Sequence, residues 1–100
     1  MAPLKVVLRP EAKVDADDIA AFYASCTEDG RLAARFLRVL YAAIDRVAAF
    51  PESCVADDLG LRRTAFQTFP YWLYYRISRQ RIEIIGVLHM KRDPALWDRS

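Results

Sequence analysis

In the first half of the chain, apolar residues form one short continuous run, followed by two stretches in which they recur with helical spacing. Residues 4–8 (LKVVL) form a short apolar, partly β-branched run near prolines, which predicts a strand. From Glu11 to Cys26 and from Leu32 to Phe50, apolar side chains recur every three or four residues, as in helices packed on one side. The turn-forming sequence TEDG at 27–30 separates them. The pattern predicts a strand followed by a helical hairpin.

The second half of the chain has the shorter apolar runs that are typical of strands. Residues 51–60 (PESCVADDLG) are predicted to form a loop, and LRRTAF from Leu61 a strand. YWLYYRIS from Tyr71 and RIEIIGVLH from Arg81 predict two more strands, with a tight hairpin connection at 78–80. The order β-α-α-β-β-β predicts an α+β fold, in which the helical hairpin packs on a mainly antiparallel four-stranded sheet.

Composition narrows the class of protein. One hundred residues, 54% of them apolar, suit a single domain over 1–100 with one core. Fifteen Lys and Arg against thirteen Asp and Glu leave a net charge of +2, too small to indicate nucleic-acid binding by itself. Acidic residues concentrate in the N-terminal third and basic residues in the C-terminal half. Asp15, Asp17 and Asp18 are predicted to lie on the solvent side of the first helix.

Cysteine usage and hydropathy predict an ordinary cytoplasmic protein. Cys26 and Cys54 have no neighbouring His or second Cys pair, so free thiols are expected, with no metal and no cofactor. No run approaches the roughly 20 apolar residues that span a bilayer, and the first residues lack a secretory apolar region. We therefore expect no membrane partner.

The only histidine, His89, lies in HMKRDPALW and has two interpretations. As a general acid or base it would work with cations such as Lys91 and Arg76 that hold a phosphate. As a strand residue it would sit packed at the sheet edge, because alternation places Ile85, Val87 and His89 on one face. A lone histidine beside cations is a weak catalytic signal, and we prefer the structural interpretation.

The aromatic residues raise a similar choice between packing and binding. Alternation places Tyr71, Leu73, Tyr75 and Ile77 on one face of their strand and Trp72, Tyr74 and Arg76 on the other. Aromatic strand residues more often pack than stack on bases, so no direct sequence-specific nucleic-acid binding is expected. Trp97, in the polar segment after Pro94, either folds back as a lid on the sheet or enters a partner's pocket.

The helical hairpin leaves apolar residues outside its main stripes. These are Phe22, Leu32, Val39 and Tyr41. They could cap the core, or they could receive an amphipathic helix from a partner.

The element order and three stretches together resemble the RelE/ParE toxin superfamily of type II toxin–antitoxin systems. The stretches are LRPEAKVDADDIAAFYA, FPYWLYYRI and IIGVLHMKRDPALW, which span nearly the whole chain. FPYWLYYRI followed by VLHMKRDP resembles the ParE branch. The resemblance implies a toxin that inhibits DNA gyrase and forms a hetero-oligomer with a ParD-like antitoxin, with no catalytic centre of its own.

Residue roles are predicted from the charge and apolar character of the side chains. The target-binding residues are expected to be Lys91, Arg92 and Trp97. The antitoxin-binding residues are expected to be Phe22, Leu32, Val39, Tyr41, Arg62, Arg63 and Arg76. The alternative is a RelE-like ribosome-dependent mRNA endoribonuclease, for which the candidate catalytic residues are His89, Lys91 and Arg76.

Overall fold

A computed structural model of the chain describes residues 4–97 and 99. The elements are β1 (Lys5–Leu8), α1 (Pro10–Cys26), α2 (Arg31–Ala49), β2 (Leu61–Ala65), β3 (Tyr71–Ser78), β4 (Arg81–His89) and a short 3-10 helix (Pro94–Leu96). The predicted order and the α+β class are confirmed. The four strands form one mixed sheet in the order β1-β4-β3-β2. β1 runs parallel to β4, and the other two pairs are antiparallel.

Local chemistry sets the ends of the two helices. Pro10 occupies the first turn of α1, where its missing N–H costs no hydrogen bond. Before α2, Gly30 adopts a left-handed backbone with φ 67°, and Asp29 accepts a hydrogen bond from the Arg31 N–H at 3.0 Å. α2 ends where the Phe50 N–H donates to the Arg46 carbonyl, immediately before Pro51. The two helices therefore form the predicted hairpin.

The hairpin covers one face of the sheet, which we call the inner face. Phe36 of α2 is fully buried there and stacks on Phe66 with ring centroids 5.7 Å apart. The buried residues of this core are Ala12, Ala16, Phe36, Leu40, Ala43, Val47, Phe66, Phe69, Tyr71, Leu73, Tyr75, Ile82, Ile84 and Val87. Tyr71, Leu73 and Tyr75 thus share a face, as alternation along β3 predicts.

A β-bulge interrupts the pairing of β3 with β4. Tyr74 pairs with Gly86 whereas Tyr75 pairs with Ile84, so that Ile85 is an extra residue in β4. The extra residue shifts the alternation of side chains along the strand.

The bulge overturns one prediction about β4. Ile84 and Val87 belong to the inner core, but Ile85 and Leu88 belong to a separate cluster on the opposite, outer face. The prediction that Ile85 shares a face with Val87 and His89 was wrong, because strict alternation does not hold across a bulge.

The outer face carries a small core of its own. Tyr74, Ile85 and Leu88 are buried there, and Leu61, Trp72 and Trp97 pack against them. Trp97 comes from the C-terminal segment, by which we mean residues 90–97 and 99. Among the described residues, neither α1 nor α2 packs on this cluster, and Trp97 of the C-terminal segment contributes part of its cover.

Candidate functional site

A groove runs between α1, the end of β4 and the C-terminal segment. It arises because β1 pairs with β4 only as far as Ile84, whereas β4 continues to His89. The groove has a volume of about 1160 Å³. Its lining includes Asp15, Ile19, Phe22, Tyr23, Tyr71, His89, Lys91, Arg92, Leu96, Trp97 and Arg99.

An ion pair takes the place of a neighbouring strand on the edge of β4 beyond β1. The backbone N–H of Val87 donates to Asp15 Oδ2 at 3.0 Å, and Arg99 Nη1 donates to the carbonyl of Ile85 at 3.2 Å. Arg99 also donates to both carboxylate oxygens of Asp15, at 2.5 and 2.8 Å. The two side chains are only 15% and 16% exposed. The prediction that Asp15 faces solvent was therefore wrong.

Gly86 allows the C-terminal segment to approach the sheet this closely. A Cβ atom on Gly86 would collide with the side chains of Trp97, Arg99 and Asp15. Without it, the Trp97 ring reaches Tyr74, with centroids 5.0 Å apart, and the Arg99 guanidinium lies 4.4 Å over the Trp97 ring. Of the two interpretations of Trp97, the structure has the residue folded back on the sheet.

His89 is half-buried in the groove and well tied to its surroundings. Its ring meets Tyr71 edge to face at 5.3 Å, and its Nδ1 accepts the Lys91 N–H at 3.0 Å. The Tyr71 hydroxyl pairs with that of Tyr23 at 3.4 Å. Burial, reinforced by this hydrogen bond, raises the pKa of Tyr71 well above its ordinary value, so the Tyr71 hydroxyl keeps its proton. Only Nε2 of His89 is left to meet a ligand.

The structure does not bring Arg76 to His89. Arg76 pairs with Glu83, whereas His89 pairs with Tyr71. Arg76 therefore lies five positions along β3 from Tyr71, the residue opposite His89, a distance of roughly 16 Å at strand spacing. Of the three residues considered for catalysis, only His89 and Lys91 share the groove.

The neighbouring arginines of β2 serve opposite faces of the sheet. Arg62 donates to the carbonyl of Cys54 at 2.5 Å, in the loop that precedes β2. Arg63 lies on the outer side, with its guanidinium 4.1 Å over the Trp72 ring. A single partner segment on one face would meet only one of them.

The apolar residues predicted to bind an antitoxin fall into two groups. Phe22 is 59% exposed and lines the groove, and Tyr41 is 61% exposed on α2. Leu32 and Val39 are half-buried and pack against the inner core. Val39 also lines a small pocket with Gln67, which follows β2 at the other edge of the sheet from the groove.

Sequence reasoning did not identify four residues that shape the groove: Asp15, Gly86, Leu96 and Arg99. One of them had a recognisable signal. A glycine inside an apolar strand such as IIGVL often marks a bulge or a close approach by another part of the chain. The other three depend on the path of the C-terminal segment, which the sequence pattern does not specify.

Two general features of the described residues bear on the class of protein. Within residues 4–97 and 99, no helix is long and apolar enough to cross a membrane, and no three His, Cys, Asp or Glu side chains gather as metal ligands. Cys26 is exposed and Cys54 is half-buried, and both are free thiols.

Comparison with known proteins agrees with the fold. The profile of the family described as the ParE toxin of the type II toxin–antitoxin system parDE matches residues 6–94. A solved structure described as the chromosomal ParDE TA system from P. aeruginosa is similar, with a TM-score of 0.77 at 13% identity, covering 88% of this chain and 97% of that one. At that identity the likeness shows the fold alone. No curated protein sequence matches significantly.

Proposed function

The chain belongs to the ParE toxin family of type II toxin–antitoxin systems, and from this premise we propose that it inhibits DNA gyrase and is neutralised by a ParD-like antitoxin. The observation that carries the proposal is the family match over residues 6–94, which includes both helices, β2 to β4 and all of β1 except its first residue. The separation of Arg76 from His89 supports an inhibitor over a nuclease, because phosphate binding and proton transfer would be needed at one place.

The groove and its basic rim form the proposed surface for gyrase. Lys91 and Arg92 are exposed at the rim, where cations mainly raise the rate of encounter with an acidic partner. Phe22 and Leu96 line the same groove and are 59% and 86% exposed. Together with the accessible edge of Trp97, they provide apolar contact that slows dissociation.

The antitoxin is proposed to lay an amphipathic helix on the hairpin and to be acidic where it meets Arg62, Arg63 or Arg76. Phe22→Asp and Tyr41→Asp form a matched pair for testing this contact, since both side chains are about equally exposed. Each should weaken the complex and leave the isolated fold intact. Val39→Asp should weaken the complex too, but it also disturbs the core. Unchanged antitoxin affinity in all three variants would place the interface elsewhere.

The alternative function is ribosome-dependent cleavage of mRNA. It is favoured by one observation, namely that His89, Lys91 and the hydroxyl-bearing Tyr71 line the same groove. In that case His89 Nε2 would transfer a proton, and the loss of such a group costs a hundredfold or more in rate.

One experiment separates the two functions. Purified toxin is added to a gyrase supercoiling assay and, in parallel, to a translating system in which transcript cleavage is mapped. We expect loss of supercoiling without codon-specific cleavage, and His89→Ala of unchanged thermal stability should retain the inhibition. Rapid codon-specific cleavage with intact supercoiling, abolished by His89→Ala, would reject gyrase inhibition in favour of the nuclease.

A further inference from the structure

α2 presents a row of arginines on the side of the helix turned away from the core. The row, which we call the arginine face, consists of Arg31, Arg35, Arg38 and Arg46. At 100° per residue these positions fall within an arc of roughly 80°, whereas the buried residues of α2 centre on an arc roughly 130° away. Arg31, Arg35 and Arg38 are exposed, and Arg46 is half-buried against the end of β2.

The arginine face carries positive charge that the described residues neutralise very little. Arg31 approaches Asp29 at 3.7 Å, but both side chains are well exposed, at 82% and 61%, and such a pair is weak. Arg46 donates to the carbonyl of Ala65 at 2.9 Å, which leaves its charge unpaired. Among residues 4–97 and 99, Arg35 and Arg38 meet no carboxylate within ion-pair distance.

Three of these arginines surround one concave site. Arg35, Arg38 and Arg46 line a pocket of about 240 Å³ together with Gln67, and Val39 and Ala42 complete the lining. The bond from Arg46 to the Ala65 carbonyl fixes one guanidinium against the end of β2, beside Gln67. The pocket thus contains several charged and neutral N–H donors, and one of them, the Arg46 guanidinium, is held in a fixed position.

We propose that the arginine face binds the phosphate backbone of duplex DNA without reading its sequence. A backbone phosphate offers two unesterified oxygens to guanidinium groups, which can pair with it in bidentate fashion. Successive phosphates repeat this charge at regular intervals along the duplex, which matches a row of arginines better than a single carboxylate does. From Arg31 to Arg46 the face extends for roughly 22 Å, enough to follow a row of phosphates. A free phosphate ion would occupy only the pocket and would leave the rest of the arginine face without a partner.

This inference goes beyond gyrase inhibition and does not depend on it. The surface lies on α2 beside β2, while the groove lies between α1 and β4, at the other edge of the sheet. DNA binding by the toxin alone is therefore measurable whatever its target is. A failure of DNA binding would leave the supercoiling result untouched.

The test measures the affinity of the purified toxin for a labelled duplex of about 20 base pairs between about 50 and 200 mM salt. Four phosphate contacts predict a slope of log K against log salt of about −3.6, because each contact contributes about −0.9. Arg35→Gln with Arg38→Gln removes two contacts, so the slope should fall to about −1.8 and low-salt binding should weaken. An unchanged slope in this variant would overturn the proposal.

The matched control is Lys13→Gln with Arg79→Gln, which changes net charge equally at two exposed positions outside α2. The control variant should keep a slope of log K against log salt close to that of the wild type. If its slope falls as far as that of the α2 variant, the assignment of DNA binding to α2 is wrong. Inorganic phosphate and polyglutamate serve as competitors at constant ionic strength. If polyglutamate at equal charge concentration displaces the DNA, the site does not select phosphate. If free phosphate binds the toxin as tightly as the duplex does, the site does not need a DNA backbone. Either result would contradict the proposal. Weak competition by both supports the proposal.

Discussion

The two faces of the sheet are covered in different ways. The inner face lies beneath two long helices, and its core includes fully buried side chains from α2, β3 and β4, such as Phe36, Tyr75 and Ile84. The outer face has three buried residues and depends on Trp97 from the C-terminal segment. The inner core thus rests on many periodic contacts, whereas the outer core rests on a few individual residues.

Polar groups show the same difference between the faces. On the inner face, the buried Tyr75 hydroxyl donates to the Pro51 carbonyl at 2.8 Å. On the outer face, the Tyr74 hydroxyl is buried without a hydrogen-bond partner among the described residues. A buried polar group without a partner costs about 1–3 kcal/mol. We infer that the outer face is the less stable of the two. The C-terminal segment connects this face with the groove, because Trp97 packs on the outer cluster and also lines the groove.

The largest effect should come from the inner core. Phe36 is fully buried and contacts four other aromatic rings within 5.7 Å, those of Tyr23, Phe66, Phe69 and Tyr71. Phe36→Ala should reduce the free energy of unfolding by about 3–5 kcal/mol, measured by denaturant titration. A loss no greater than that for outer-face variants would contradict the ranking of the faces.

A single methyl group should disturb the outer face. Gly86→Ala places a Cβ where Trp97 and Arg99 pack, so we expect a loss of about 2 kcal/mol as the C-terminal segment is displaced. The double variant with Trp97→Ala provides the control, because removal of the Trp97 ring partly relieves the collision. The loss of stability in the double variant should therefore be smaller than the sum of the losses in the two single variants. Strict additivity would show that Gly86 and Trp97 are not coupled.

The ion pair on the β4 edge should contribute less. Asp15→Asn removes the charge that faces Arg99 and weakens the bond to the Val87 N–H, for an expected loss of about 1–2 kcal/mol. Asp17→Asn, on the exposed side of the same helix, is the matched control and should change stability by no more than about 0.5 kcal/mol. Hydrogen exchange at the Val87 amide should be faster only in the first variant. Equal exchange in both variants would mean that Asp15 does not protect the strand edge.

The smallest effect concerns pH. Burial, aided by the Cys54 thiol, raises the pKa of Tyr75 to about 12, against about 10 in the unfolded chain. Below pH 10 both states hold the proton, and between pH 10 and 12 the unfolded state loses it first, so stability falls as pH rises. Tyr75→Phe should cost about 1 kcal/mol at neutral pH through the lost bond to Pro51 and should flatten this alkaline decline. An equally steep decline in the variant would assign the pH dependence to other groups.

The elements of the fold follow from local signals in the sequence. The stripe through Phe36, Leu40 and Val47 predicts the buried side of α2, and the turn TEDG predicts where the hairpin bends. Alternation in β3 predicts which of its residues face the helices. Each of these depends on residues close together in the chain, and for that reason the pattern reveals them.

The details of the groove depend on contacts between distant residues. The bulge at Ile85 reverses the alternation of β4, and only the glycine that follows it gives a hint in the sequence. From the sequence, Asp15 is predicted to face solvent on an acidic helix. In the structure it is paired with Arg99, which lies 84 positions away in the chain. No periodic pattern predicts such a pair, because its geometry is set by the path of the C-terminal segment.

The central claim is that the C-terminal segment both closes the outer core and presents the groove to gyrase. Trp97→Ala tests it, with Leu96→Ala as control, because Leu96 is 86% exposed in the groove whereas Trp97 also packs on Tyr74. Trp97→Ala should lower stability by about 2 kcal/mol, and Leu96→Ala by no more than about 0.5 kcal/mol.

The decisive measurement is inhibition of gyrase supercoiling by Trp97→Ala, made at a temperature at which the variant is fully folded. The account predicts that at least about ten times more toxin is needed for half-inhibition, a loss equivalent to about 1.4 kcal/mol of binding. A folded Trp97→Ala protein that inhibits gyrase at full strength would contradict the claim.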